Sequence, residues 1–220
     1  DPVVDVTIRI QEGEQYFVNR ITFVGNDTTH DEVIRRELQL VERGVFDTEA
    51  MKYSVRRLNQ LGYFQPLEEN GVGISNSTEE ENEVDLTFEL IETNLNQLSF
   101  GAGISQFDGF FGQLAFQTSN FLGQGKTLDI GLQSGSRVRD FNLTFTEPYL
   151  FGRPWSASGT LFSRRIEWLG SWTEESMGTN FTIGYPLAYF TRLVVSYGYE
   201  QTEVTDVNPA YTNDMELLAT

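Results

Sequence analysis

Gln97-Leu98-Ser99-Phe100-Gly101-Ala102-Gly103-Ile104-Ser105 alternates without a break. On an extended chain Leu98, Phe100, Ala102 and Ile104 share one face, while Gln97, Ser99, Gly101, Gly103 and Ser105 share the other. Asp108-Gly109 then supplies a two-residue hairpin signal. The pattern repeats downstream. Phe110, Leu114 and Phe116 oppose Gln113, Gln117 and Ser119, with Phe111 as the exception. Leu128, Ile130 and Leu132 alternate with Thr127, Asp129 and Gln133, and Phe141, Leu143 and Phe145 with Asn142, Thr144 and Thr146. Trp155, Ala157 and Leu161 mark a fifth strand. Phe181, Ile183 and Tyr185 mark a sixth, and Leu193, Val195, Tyr197 and Tyr199 a seventh. The stretch from Arg164 to Ser176 is the longest connection on this reading and suits an external loop.

A soluble sandwich would alternate in the same way, so two further features decide between the readings. Consecutive strands with no covering helix match the roughly 9–11 residues that a tilted strand needs to cross a bilayer. Aromatic residues also gather at alternate connections: Phe121, then Tyr149, Phe151 and Trp155, then Tyr185, Tyr189 and Phe190. Alternate turns lie on one side of an up-and-down barrel, so these residues would form one interfacial girdle.

Upstream, the composition changes. Residues 1–96 hold 20 acids, 8 bases, 6 glycines and 8 aromatics, against 12, 7, 14 and 21 for residues 97–220, which places a domain boundary near residue 95. Val4, Val6, Ile8 and Ile10 read as a strand that closes a preceding domain within residues 1–14. Phe17 to Val24 reads as a strand ended by the Gly25-Asn26 turn. Thr29 with Glu32 forms the signature of a capping box ahead of Val33, Ile34, Leu38 and Val41. Asp47 caps a second helix carrying Met51, Val55, Leu58 and Leu61, and Gly62 stops it. Residues 63–76 and 83–92 read as two more strands. The order β-α-α-β-β makes residues 15–94 a small α+β domain, and residues 95–220 are antiparallel barrel strands.

Several chemistries are excluded or weak. The chain has no cysteine, one histidine (His30) and a net charge of −17, which leaves no thiolate or two-histidine metal site and argues against nucleic acid. Gly123-Gln124-Gly125-Lys126-Thr127 ends like a phosphate loop, but Asn120 stands where the first glycine belongs and a strand follows. Gly101-Ala102-Gly103 lacks a third glycine because position 106 is Gln106. Glu79-Glu80-Glu81-Asn82-Glu83 reads as a solvated loop, His30 as a surface residue, and Glu147 before Pro148 as a turn residue without an acid-base partner. No catalytic, cofactor or metal residue is expected.

Phe17-Val18-Asn19-Arg20-Ile21-Thr22-Phe23-Val24-Gly25-Asn26, Val33-Ile34-Arg35-Arg36-Glu37 and Leu61-Gly62-Tyr63-Phe64 resemble a POTRA domain, the periplasmic module that precedes barrels of the BamA family. Phe116-Gln117-Thr118-Ser119-Asn120-Phe121-Leu122-Gly123-Gln124-Gly125 resembles the second strand and turn of such barrels. Phe145-Thr146-Glu147-Pro148-Tyr149-Leu150-Phe151-Gly152-Arg153-Pro154 resembles the turn after their fourth, so Glu147, Pro148 and Tyr149 mark a family motif. The resemblance implies a bacterial outer-membrane location with the POTRA part in the periplasm. Its barrels have about sixteen strands, so the seven read here form an incomplete barrel, and the family's V-R-G-F/Y loop would lie beyond Thr220.

The implied function is assembly and insertion of outer-membrane β-barrel proteins. The implied partners are unfolded outer-membrane protein clients, accessory assembly lipoproteins and outer-membrane lipid. A polypeptide enters a membrane without covalent chemistry when its backbone groups are paired first, and a sheet edge supplies that pairing. In the family the first barrel strand faces a seam that opens laterally. Leu98, Ser99, Phe100, Gly101, Ala102, Gly103, Ile104 and Ser105 are therefore the candidate client-pairing residues, with Gly101 and Gly103 weakening register. A strand edge within residues 63–76 is a second candidate, for a client segment or an accessory lipoprotein. The alternatives are a transporter of the two-partner-secretion type, which exports a polypeptide through its lumen, and a passive porin or surface antigen.

Overall fold

The computed structural model describes residues 14–68, 71–77, 81–106, 108–188 and 191–211. The expected strand over residues 3–10, the run Glu79-Glu80, and the girdle residues Tyr189 and Phe190 lie outside them. The chain divides into two compact units between Thr93 and Asn94.

The first unit contains β1 (Phe17–Val24), α1 (Asp31–Arg35), α2 (Thr48–Leu61), β2 (Val72–Asn76) and β3 (Glu83–Glu89). Its sheet has the order β1-β3-β2, with β1 parallel and β2 antiparallel to β3. The period-2 pattern of β3 sends Val84, Leu86 and Phe88 inward, where they are buried with Val18 and Ile21 of β1. Met51, Val55 and Leu58, at helical spacing on α2, are buried in the same core, as are Val33 and Ile34 of α1. Full burial of side chains this size contributes roughly 1.5–3 kcal/mol each. The Asp47 carboxylate accepts from Glu49 N at 2.8 Å, and Gly62 leaves α2 at φ 69°. Both ends of α2 are thus satisfied by the residues that the sequence nominates.

Four sequence expectations fail here. The capping box does not form: His30 occupies the N-cap without a side-chain bond, and α1 is only five residues long. Glu92, from beyond β3, accepts instead from Thr28 N and Thr29 N, the latter at 2.6 Å. Val41, expected on the helix's apolar side, is 64% exposed. Residues 63–76 are not one strand, and β3 ends at Glu89 rather than residue 92. The Asn59 side chain accepts from Leu67 N and donates to Leu67 O, fastening that segment to α2, and Pro66 removes a ladder donor. Before β2 the described part of that segment pairs at the isolated bridge Phe64–Glu92, flanked by bonds from Gln65 N to Ile91 O and from Thr93 N to Tyr63 O.

The second unit is a seven-stranded antiparallel meander, β10-β9-β8-β7-β6-β5-β4. The strands are β4 (Asn96–Ser105), β5 (Gly109–Phe121), β6 (Lys126–Gly135), β7 (Val138–Glu147), β8 (Ser156–Trp168), β9 (Trp172–Ala188) and β10 (Thr191–Thr205). The expected loop from Arg164 to Ser176 is instead the continuation of β8 and β9, joined by Leu169-Gly170-Ser171. The first hairpin has a three-residue connection rather than two, with Gly109 opening β5 at φ 68°. The Ser105 hydroxyl accepts from Asp108 N at 2.7 Å and donates to the Asp108 carboxylate at 2.9 Å, which fastens that turn.

Register separates this sheet from a soluble sandwich. The apolar face ends at Ile104 on β4 and at Tyr199 on β10. Tyr199 connects through Thr179, Leu161, Leu143, Ile130 and Phe116 to Leu98. Leu98 is six residues before Ile104 (104 minus 98), across six strand-to-strand steps, so the boundary slips one residue per strand. A horizontal apolar band on strands tilted by about 35–45° requires a slip of this kind. Beyond the band the outward face becomes polar, with Arg165, Glu167, Thr173, Glu175 and Glu203 on β8 to β10. The 17 residues of β9 exceed what a bilayer needs, and the excess carries these charges.

Candidate strand-pairing edges

β4 is an edge. Among the described residues it pairs with β5 alone, Leu98 opposite Phe116 and Ile104 opposite Phe110. Backbone N–H groups alternate along a strand, so one set of its donors and acceptors faces away from β5. On the apolar face Leu98, Phe100 (86% exposed) and Ile104 are open. On the other face Gly101 and Gly103 carry no side chains, and β5 fills the space. Gln113 Nε2 lies 3.0 Å from the position of a Cβ at residue 101, and Phe111 Cζ lies 3.0 Å from one at residue 103. This accounts for Phe111 breaking its strand's alternation: it is the cover for a cross-strand glycine. The candidate residues Leu98 to Ser105 therefore form one continuous edge held by backbone pairing and two long side chains.

The motif turn lies at the opposite end of the sheet from the β4–β5 connection. Glu147 Oε1 accepts from Tyr149 N at 3.0 Å, and Glu147 Oε2 pairs with Lys126 Nζ at 3.2 Å. Lys126, the lysine of the phosphate-loop-like run, thus braces the neighbouring strand end. The Asn120 side chain accepts from Gly125 N at 2.6 Å and organises that same turn. Trp155 meets Tyr185 edge-on at 5.2 Å, and Phe121 meets Phe145 at 6.5 Å. Sequence reading missed the Lys126–Glu147 pair, because 21 residues separate two groups that only strand pairing brings together.

In the first unit the two sheet edges are treated differently. β1 is closed: Val18 N donates to Gly44 O, Arg43 N to Val18 O, Ile21 N to Glu42 Oε1, and Arg35 Nη2 to Ile21 O. Arg35 also stacks over Phe23 at 5.2 Å. The bond from Ile21 N, together with Arg35, holds the Glu42 carboxyl below the usual carboxylate range. β2 pairs with β3 only, and among the described residues no strand lies on its other side.

Residues 16–93 match the POTRA model, described as the surface antigen variable number repeat, and residues 120–217 match the Omp85 superfamily domain. The chain is 32% identical over 146 residues to the outer membrane protein assembly factor BamA of Neisseria meningitidis, covering 66% of this chain and 18% of that protein. It is 25% identical over 206 residues to BamA of Nitratidesulfovibrio vulgaris, covering 94% and 25%. The crystal structure of BamA from Haemophilus ducreyi lacking POTRA domains 1–3 superposes with a TM-score of 0.73 at 25% identity, covering 89% of this chain and 37% of that one. The chain thus spans a quarter or less of the length of these two relatives. The chain thus joins a POTRA domain to tilted, outward-apolar strands of an Omp85 superfamily domain and is similar to the BamA proteins, its strands in the bacterial outer membrane and its POTRA domain in the periplasm.

Proposed function

We propose that this protein assembles and inserts outer-membrane β-barrel proteins, and that client strands are templated by addition at β4, residues Leu98 to Ser105. The observation that carries the reading is the open edge of β4, with Gly101 and Gly103 at its centre. A client strand added there satisfies its own N–H and C=O groups before it leaves water, which removes the main cost of entering lipid. The relatives named as assembly factors support the same role. The open β2 edge in the POTRA domain takes an extended client segment or an accessory lipoprotein by the same backbone pairing.

The test uses proline in the full-length protein. Gly101→Pro and Ala102→Pro each delete one N–H, and because successive donors alternate, one of the two deletes a donor on the open side. At least one is expected to impair client assembly more than Leu132→Pro, which lies in β6 and pairs on both sides with Leu114 and Phe141. Equal impairment at equal protein levels contradicts the proposal.

A further inference from the structure

On the outward face, just past the apolar band, Arg139 of β7 stands directly opposite Arg165 of β8. Like charges directly opposed across a sheet are unfavourable, so this arrangement calls for an anion. Only part of that demand is met within the protein. Arg165 Nη1 pairs with Glu175 of β9 at 2.7 Å, and Glu175 in turn faces Glu203 of β10. Arg139 is exposed and has no carboxylate within ion-pairing distance among the described residues. The row therefore runs plus, plus, minus, minus across four strands, with its cationic end unbalanced.

Depth narrows the ligand. Arg139 stands two residues before Phe141, the outward apolar residue of β7 nearest the β4–β5 connection, and Arg165 lies beyond Leu161 on β8. Arg139, Phe141, Ser163, Arg165, Glu175 and Met177 border a shallow cavity of about 430 Å³. Strand β4 starts at the end joined to the periplasmic POTRA domain, and the Arg139 row lies toward the β4–β5 connection at the other end. The guanidinium groups accordingly sit at headgroup level of the outer leaflet, with acyl-facing side chains beneath them.

We infer that Arg139 and Arg165 form a binding site for the phosphate of a phosphorylated outer-leaflet lipid, whose acyl chains run down over Phe141 and Leu143. Two guanidinium groups in a fixed relation suit phosphate through charge-assisted, two-pronged hydrogen bonds. Glu175 keeps Arg165 in place and limits the site to one phosphate. An anionic lipid here anchors the rim of the β7–β8 hairpin without adding any protein contact.

The test is native mass spectrometry of the full-length protein in mild detergent, supplied with diphosphoryl lipid A or with the same lipid stripped of its phosphates. The unchanged protein is expected to retain the phosphorylated lipid preferentially. Arg139→Ala, which leaves the Arg165–Glu175 pair intact, is expected to reduce that retention about five-fold, and the double change with Arg165→Ala to reduce it further. Arg192→Ala removes the same charge from the lumen face of β10, away from the cavity, and retention is expected to stay unchanged. Heat-modifiable gel mobility establishes that each variant is folded. Equal retention of the two lipids by the unchanged protein overturns the inference. So does undiminished retention by folded Arg139→Ala, or an equal loss from Arg192→Ala.

Discussion

The ring of Phe111 lies across Gly103 of the neighbouring strand, its Cζ 3.0 Å and Cε1 3.2 Å from where a Cβ on residue 103 would stand. The same residue pairs on its other side with Gly135 of β6. The ring thus covers Gly103 on the face opposite the apolar band while the Phe111 Cβ packs on Gly135, a side-chain fastening of the first barrel strand near its outer end. An edge strand held this way keeps its register while remaining separable, because most of what holds it is a single ladder of backbone bonds.

Removing that ring should therefore loosen β4 selectively. Phe111→Ala is expected to speed amide exchange over Leu98 to Ser105 by about five-fold, the equivalent of a cross-strand pair contributing about 1 kcal/mol. Exchange in the central strand β6 should be unaffected. Hydrogen exchange with mass spectrometric readout on the full-length protein in detergent or lipid makes the comparison directly.

Glu42 and Arg35 close the β1 edge with side chains where another strand would otherwise pair. Glu42→Ala should free Ile21 N and open a second pairing edge on the POTRA domain. The expected outcome is concentration-dependent self-association, seen by sedimentation and absent from the parent. A variant that stays monodisperse would show that the chain from Val41 to Phe46 blocks the edge unaided.

The same carboxylates give the domain an acid-sensitive limb. Glu42 is held below its ordinary range by the bond from Ile21 N and by Arg35. Burial pushes the Glu92 carboxyl up, but the bonds from Thr29 and Thr28 outweigh it and the net direction is down. A carboxylate depressed in the folded state contributes stability that is present above its unfolded value and lost as pH falls through the folded one. Stability of the POTRA domain should thus decline below about pH 4.5. Glu92→Gln, with the more enclosed of the two carboxylates, should flatten that decline more than Glu42→Gln, whose side chain is 43% exposed and screened by water. Denaturant unfolding followed across pH 3 to 7 reads the difference.

Leu58 is 1% exposed and packs in the POTRA core. Leu58→Ala is expected to destabilise the domain by about 2–5 kcal/mol through lost burial and the cavity left behind. Thermal or denaturant unfolding of the POTRA transition in the whole protein would register it, while the transition of the membrane-embedded strands should not move.

Much of this architecture was legible in the residues themselves, for reasons that differ between the units. In the second unit each strand's alternation from Leu98 to Tyr199 reports which side faces lipid, because lipid tolerates no compromise on that face. In the first, Asp47 and Gly62 marked the ends of α2 because caps are local. The failures were non-local. Thr29 and Glu32 have the spacing of a capping box, yet the amide of Thr29 is taken by Glu92, 63 residues away. Arg164, Arg165, Glu167, Glu174 and Glu175 looked like a loop because the reading demanded an apolar face. Beyond the bilayer a sheet needs none, and cross-strand pairs such as Arg165–Glu175 replace it. Along β4 the two faces were legible from alternation and its place at an edge only through the family resemblance, while the covers on Gly101 and Gly103 required the register with β5.

Clients are proposed to pair with the β4 edge and not to thread the lumen. Site-specific photo-crosslinking in the full-length protein during client assembly tests it, with the probe at Phe100 on the edge strand, at Ile130 on the outward face of β6, or at Gln133 on its lumen face. Client crosslinks are expected from Phe100 and none above background from Ile130 or Gln133. Crosslinks from Gln133 with none from Phe100 would contradict it and favour export through the barrel.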